Sequence, residues 1–397
     1  MESSKLLTPI KRFFNLLKVD KQEIVSIYIY ALFSGIITLS IPLGIQAIIS
    51  FITSGEVSSS WIVLVVFVVL GVGLTGVMQI MQLTITENLQ QKIFTRSAFE
   101  FAYRIPRMKM EAIDQSYMPE LVNRFFDTLS IQKGLPKILM DFSSASLQII
   151  FGLILLSLYH PFFIMFSFVL ILIVYLIFKF TTPQGLKTSL KESTYKYEVA
   201  HWLEELARAN STFKLAGRTD LPMQRTDEKV SQYLTHRKAH FKTLLMQYIN
   251  LVGFKMVIAA GLLLIGGLLV INQQMNIGQF VASEIIIILV LASVEKLILS
   301  METIYDVLTA IEKVGSITDI PLEKDEGSPI HFEEGEAIAI KARDLSFQFK
   351  DKIIPYLLEL LQGLPNAQWT DETGFKPNDC KCQVVRLFRS FKLNLVN

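Results

Sequence analysis

Charge is scarce in this chain: Asp, Glu, Lys and Arg make up 19% of its 397 residues and leave a formal net charge of +2. Without a basic excess there is no electrostatic footing for nucleic acid, so no such partner is expected. Cysteine is scarcer still, with only Cys380 and Cys382. A pair this close builds neither a disulfide framework nor a four-ligand zinc site. Residues 1–21 lack the apolar core of a cleavable signal. The histidines, His160, His201, His236, His240 and His331, are scattered. His236 and His240 share a polar helical face, but no third ligand is close in sequence and the glutamate of a hydrolytic zinc motif is missing. They read as a solvated face, and no metal site is expected. No Ser-His-Asp constellation can be argued.

What the chain has in abundance is apolar sequence in long runs. A helix needs ~20 apolar residues to cross a bilayer. Residues 24–52, 61–83, 142–159, 162–180, 251–271 and 280–301 qualify as six spans, the first containing Pro42. The third and fourth, separated by His160 and Pro161, are shorter and continue into polar helical sequence. The turns at 53–60, 159–162 and 272–279 hold no Lys or Arg, whereas 87–137, 181–242, the N-terminus and everything after Thr303 hold many. The positive-inside rule then places both termini and both long loops in the cytoplasm. The setting expected is a bacterial cytoplasmic membrane. Ahead of the first span, Leu6, Leu7, Ile10, Phe13, Phe14 and Leu17 recur at helical spacing among Lys5, Lys11, Arg12 and Lys18. That pattern predicts a basic amphipathic helix on the membrane surface.

The long loops are helical as well. Residues 87–104 carry Leu89, Ile93, Phe94 and Phe101 on one stripe. Residues 189–216 and 226–247 read as helices, with Gly217 a stop and Pro222 in the connection. Two helical stalks therefore leave the membrane and return, with polar tips at 115–124 and 217–227.

Within the spans, Lys255, Lys296 and Asp141 lie ~25 Å from the outer turns, at the inner interface. They read as snorkelling charges, with Glu295 in the same belt. Glu284 lies only ~7 Å below the outer end of the sixth span. An intramembrane carboxylate there lines a substrate path, carries a proton, or reaches up to outer water. Gly71, Gly73 and Gly76 form a loose glycine pattern inside an apolar span, which points to close helix packing and away from nucleotide binding.

The surface helix, six spans, two stalks and C-terminal extension together resemble a type-1 ABC exporter half-transporter. Arg104-Ile-Pro106 with Tyr117-Met-Pro-Glu-Leu-Val-Asn-Arg124 resembles the family's first coupling segment. Ala209-Asn-Ser-Thr-Phe-Lys-Leu-Ala-Gly-Arg218 resembles the run into the second. Asn276-Ile-Gly-Gln-Phe280 and Val294-Glu-Lys-Leu297 look most like the subgroup that secretes peptides and toxins. Beyond a polar linker, Ala337-Ile-Ala-Ile-Lys-Ala-Arg-Asp-Leu-Ser-Phe-Gln-Phe349 alternates like strands and resembles the opening of the family's nucleotide-binding domain.

The resemblance implies an all-α membrane fold of six transmembrane helices with long cytoplasmic extensions and a short β fragment at the C-terminus. The divisions expected are a surface elbow at 1–21, a transmembrane domain at 22–316, a linker at 317–336 and the start of a nucleotide-binding domain at 337–355. Residues 356–397 leave the family pattern, as an out-of-frame tail would. The resemblance further implies ATP and Mg as cofactors, Phe349 as the ring stacked on adenine, and Glu120, Arg124, Arg218 and Arg225 as coupling charges. Glu284 is the translocation-path candidate. The phosphate-cradling lysine loop, signature and magnesium-binding strand do not occur in the sequence. The chain alone is therefore not expected to hydrolyse ATP. The implied partners are the membrane, a second half-transporter and a nucleotide-binding domain, and the substrate is a peptide, lipid or drug-like molecule. The alternatives are a catalytically inactive scaffold or regulatory partner of an intact half-transporter, and a proton-coupled channel centred on Glu284.

Overall fold

The computed structural model describes residues 2–54, 59–113, 118–217, 219–323, 346–349 and 352–355. Contacts divide the chain into two units, one of Met1–Arg104 with Tyr117–Asp319, the other of Ile105–Ser116 with Ile320–Asn397. The larger unit is wholly helical. Its elements open with α1 (Glu2–Val19), α2 (Lys21–Thr38), α3 (Ser40–Ser54) and α4 (Ser59–Arg104). In the smaller unit, the one-turn α5 (Met110–Ile113) follows a 3-10 turn at Ile105–Arg107. The larger unit resumes with α6 (Met118–Asn123), α7 (Asp127–Tyr159), α8 (Phe162–Arg208), α9 (Asn210–Leu215), α10 (Leu221–Ile271) and α11 (Ile277–Thr318).

Six helical stretches among the described residues are long and apolar enough to cross a membrane: Lys21–Thr53, Ser60–Arg107, Leu121–Tyr159, Phe162–Arg208, Leu221–Ile271 and Ile277–Thr318. At 1.5 Å per residue, α4, α8 and α10 are each ~70 Å long or more, against a hydrocarbon core of ~30 Å. Each therefore crosses and continues as a stalk without a break. The all-α fold of six spans with long helical extensions is thus present as expected.

Local chemistry explains the boundaries. Pro42 cannot sit against the carbonyl four residues back, so the first span breaks between Thr38 and Ser40 into α2 and α3. His160 is extended, and its Nδ1 accepts from Phe162 N at 3.1 Å, turning α7 into α8. Gly217 takes φ +75°, a conformation costly for any residue with a Cβ, and ends the first half of the long hairpin. Pro222 does not lie in the connection; it occupies the first turn of α10, where no N–H is needed. Asn276 and Gln279 form a reciprocal capping box at the start of α11: the Asn276 side chain accepts from Gln279 N at 2.7 Å, and Gln279 Oε1 accepts from Asn276 N at 3.0 Å.

Packing is uneven. In the membrane-spanning region α7, α8, α10 and α11 share a buried cluster that includes Leu156, Phe163, Leu170, Leu251, Ile286 and Val290. A second cluster joins Ile27, Leu89, Ile93, Leu135, Val307 and Ile311 along the stalks. The apolar part of α4 turns Val63, Phe67, Leu70 and Leu74 outward, a face fit for lipid. Of the three glycines in that helix, only Gly71 is in close contact, where a Cβ would come within 2.7 Å of Ser40 Oγ; Gly73 and Gly76 face open space. Of the α1 stripe, Phe13 and Leu17 pack on the second cluster, as does neighbouring Leu16, while Phe14 is exposed and the side chains of Leu6 and Leu7 lie outside the described residues. Arg12 fastens this helix to α11 through Glu312 at 2.8 Å and through Asp319.

In the smaller unit, Met108 pairs with Leu322 in an isolated antiparallel bridge, and Lys109 N donates to Pro321 O at 3.0 Å. Its β1 (Ser346–Phe349) and β2 (Lys352–Pro355) pair antiparallel, with Phe349 opposite Lys352. The ring of Phe349, most of the linker and residues 356–397 lie outside the described residues.

Candidate functional site

Most of the residues singled out in the sequence fall in two regions of the bundle, the stalk tips and the polar layer where the stalks leave the membrane-spanning region; Glu284 lies apart, near the opposite end of the sixth span.

At the first tip, a 3-10 turn of Arg124–Phe126 joins α6 to α7. Phe125 stacks edge-on against Phe94 and Phe101 at centroid distances of 5.7 and 5.4 Å, which locks the turn onto α4. Arg124 is held against protein: its Nη1 donates to Ser316 Oγ at 2.8 Å, and its guanidinium lies 6.0 Å from the centre of the Tyr197 ring. Tyr197 donates its hydroxyl to buried Asp127, which Lys196 also approaches at 3.6 Å. Tyr197 lies well below the apolar part of α8, and burial together with Asp127 pushes its phenol pKa up. Arg124 thus belongs to a cluster that ties α7, α8 and α11 together behind the tip. Glu120 falls on α6, and its side chain is outside the described residues, as is the whole of Arg218.

At the second tip, Arg225 is exposed and pairs with Glu228 at 3.3 Å on its own helix, a solvated pair of small energetic weight. The notable groups here are apolar. Leu215 is 89% exposed and Met223 74%, with Leu221 also outward. Large apolar side chains at the end of a polar hairpin mark a surface built for contact. Sequence reasoning passed over them because the tip was read for its charges, although Leu215, Leu221 and Met223 stand in plain view beside the Gly217 stop.

In the polar layer, the charges assigned to snorkelling are instead paired across helices. Lys255 on α10 bonds Glu295 on α11, 2.5 Å apart. Lys296, the next residue of α11, reaches Asp141 on α7 at 3.0 Å and Ser144 Oγ at 3.3 Å. Pairing wins because an ion at the edge of the hydrocarbon is costly alone, and a partner on a neighbouring helix is nearer than water. Glu284 is partly buried near the head of α11, and no ion pair reaches it among the described residues.

Just below this layer α8, α10 and α11 share a buried polar seam. Gln247 Nε2 donates to Tyr305 OH at 2.8 Å, and the Tyr305 ring fills the space left by Gly185. His240, 1% exposed, bonds Thr188 Oγ1 through Nδ1 at 2.9 Å, and Ser189 meets Thr309 at 2.9 Å. His240 is therefore a core residue, contrary to the solvated face expected of it. His236 stacks on Tyr195 with centroids 4.1 Å apart. No cluster of three His, Cys, Asp or Glu groups able to hold a metal occurs among the described residues.

Asp306, on the stalk part of α11 beyond the apolar run, faces a crowded acidic setting. Desolvation, with Glu302 and Glu192 close by and only partly offset by Arg237 and Lys196, raises its carboxyl from 3.8 to about 6. A raised acid favours the folded state where it is protonated. Stability is thus highest below the unfolded value and declines as pH climbs to about 6. Asp306→Asn is expected to melt a few degrees above the parent at about pH 7 and level with it at about pH 4. The shift is small because Asp306, though crowded by Glu302 and Glu192, keeps part of its surface in water, which screens their repulsion. Equal melting at both pH values would remove Asp306 from the account.

No individual curated protein matches the chain. The profile of the ABC transporter transmembrane region matches residues 24–294, from the first span through most of the sixth. With that match covering well over half of its length, the chain belongs to the ABC transporter transmembrane region family.

Proposed function

We propose that this chain is the transmembrane subunit of an ATP-driven exporter that works as one half of a dimer, with hydrolysis performed by a nucleotide-binding domain docked on the stalk tips. Family membership implies membrane transport and, by analogy, the use of ATP and Mg. The observation that carries the reading is the second tip. A rigid helical hairpin runs tens of ångströms beyond the apolar spans and ends in exposed Leu215, Leu221 and Met223. A cassette surface with an apolar groove would take these side chains, with Arg218 and Arg225 beside it at this tip and Glu120 and Arg124 at the first. The clamp of Phe125 and Arg124 at the first tip makes that tip rigid enough to transmit cassette closure to α7 and α11.

Transport follows from how the spans are tied. The ion pairs of Lys255 with Glu295 and of Lys296 with Asp141 bind α11 to α10 and α7 at the stalk-side end of the membrane. Motion of the stalks is therefore passed to the sixth span, where Glu284 lines the substrate path. Peptides, lipids and drug-like molecules remain the substrate classes of this reading.

The test is to purify the tagged chain from its own membranes in mild detergent and reconstitute the complex in proteoliposomes. Vanadate-sensitive ATPase activity and ATP-dependent export are expected. Leu215→Asp with Met223→Asp is expected to lower both by about tenfold or more, because loss of a central apolar contact typically costs ~2 kcal/mol. Membrane insertion should be unchanged. A complex that assembles but never moves substrate with ATP would instead favour the scaffold reading.

A further inference from the structure

A cavity of about 670 Å³ lies between the start of α2 and the middle of α4, outside the regions described above. Its lining includes Gln22, Glu23, Ser26, Asn88, Lys92 and Arg96. Arg96 is already neutralised: it holds Asp20 with two bonds of 2.7 and 3.1 Å, and the Asp20 carboxylate is almost fully covered. The other charges on the wall, Lys92 and Glu23, are bonded to each other, but the Lys92 side chain is 53% exposed and its ammonium carries three N–H groups, and Glu23 keeps 20% of its side chain in solvent, so the pair can take a further acceptor and a further donor. Neutral donors and acceptors from Gln22, Asn88 and Ser26 surround the pair.

Depth identifies what this wall meets. Trp61, an exposed aromatic at the far end of the same helix, suits the headgroup level of the opposite leaflet. From there Ile85 is ~36 Å along α4 and Lys92 ~47 Å. A bilayer with its headgroups is ~40–45 Å thick, and an ordinary helix tilt of ~20° brings the two values to ~34 and ~44 Å. The cavity therefore sits in the headgroup layer on the stalk side. Both of its helices continue into the hydrocarbon with outward apolar side chains on the same faces. On α2, Gln22 and Ser26 lead to Ile29, Phe33 and Ile36, and on α4, Lys92, Asn88 and Ile85 lead to Met81 and Val77.

We propose that this cavity binds the head of a zwitterionic amino-phospholipid of the stalk-side leaflet, its phosphodiester on Lys92 and its ammonium on Glu23, with the acyl chains laid along Ile29, Phe33 and Met81. The balanced charge pair selects the class. A purely anionic headgroup leaves Glu23 facing negative charge, and a choline head offers Glu23 no N–H to accept from. An ethanolamine head satisfies both ends, and its chains cover apolar surface that a free phosphoester would leave bare.

The full-length chain, delipidated in detergent, would be titrated with palmitoyl-oleoyl phosphatidylethanolamine, the matching phosphatidylglycerol and phosphatidylcholine, and soluble glycerophosphoethanolamine, with bound molecules counted by native mass spectrometry. The ethanolamine lipid is expected to bind at least about tenfold more tightly than the other three, one tenfold step corresponding to ~1.4 kcal/mol. Lys92→Gln should lose that preference, Lys92→Arg should keep it, and Asn88→Trp should block the cavity while leaving the melting temperature at the parent value. Equal binding of the three lipids, or parent-like binding by both Lys92→Gln and Asn88→Trp, overturns the site. Binding of glycerophosphoethanolamine as tight as that of the lipid overturns the membrane source and assigns the cavity to a free phosphoester.

Discussion

Gly185→Ala is expected to destabilise the bundle by about 2–6 kcal/mol, seen as a large drop in melting temperature in detergent and in recovered protein. The added methyl would overlap the ring of Tyr305, a side chain with no exposed surface. Tyr305 has no room to retreat, because Leu186, Met301 and Leu308 enclose it and its hydroxyl accepts from Gln247 Nε2 at 2.8 Å. Overpacking of such a site costs ~1–3 kcal/mol, and a displaced ring strands the Gln247 amide at a further ~1–3 kcal/mol. Gly73→Ala supplies the control: nothing lies within 4 Å of its added carbon, so no loss is expected there. Tyr305→Leu, with a shorter side chain, should make the double variant less damaged than the two single losses add up to. Gly185→Ala melting together with Gly73→Ala would show that the seam between α8 and α11 has slack.

Lys296→Met should cost about 2–4 kcal/mol. The change leaves the Asp141 carboxylate, 10% exposed, without its cation at the edge of the hydrocarbon. Breaking one partner of a fully buried pair costs ~3–5 kcal/mol; the lower figure here reflects water at Lys296, whose side chain is 45% exposed. Adding Asp141→Leu should recover most of the loss, because a matched apolar pair needs no desolvation. Lys255→Met should cost less, about 1 kcal/mol, since Glu295 keeps 30% of its surface in solvent. If Lys296→Met and Lys255→Met melt alike, the two pairs are equally wet and the asymmetry between α7 and α10 is lost. In the proposed transport cycle, the same variants should weaken the link between stalk motion and the sixth span.

Much of the architecture was legible in the residues. The apolar runs match the hydrocarbon thickness, and their order survives as α2 with α3, then α4, α7, α8, α10 and α11. The turn at Pro161 and the stop at Gly217 fall where expected, whereas the first span, expected to run unbroken through Pro42, divides four residues before it. Of the stripe Leu89, Ile93, Phe94 and Phe101, three residues are buried and Phe94 is exposed, so helical periodicity, a local property, locates the inner face to within one residue. Asn276 and Gln279, noticed first for their resemblance to a family motif, prove to be a capping box that starts the last span.

The site was less legible. The charges near the stalk-side boundary read as independent snorkelling groups, since depth alone carries no information about a neighbour on another helix. Asp141 finds Lys296 only because α7 and α11 pack side by side; their separation in sequence spans two other long helices. His240 looked solvated because its own helix is polar, yet α8 and α11 close over it. Arg124 was expected as a coupling charge, and the approach of α8 and α11 gives it Tyr197 and Ser316 as well, partners no local pattern announces.

By itself the sequence determined the six spans and their helical continuations, since each depends on residues close together in the chain and on the thickness of a bilayer. Only the tertiary structure decided which charges are paired, which histidine is buried and where a lipid head can sit. Those outcomes depend on α2 meeting α4, and on α7, α8 and α10 meeting α11, contacts between segments far apart in the chain that no local pattern encodes.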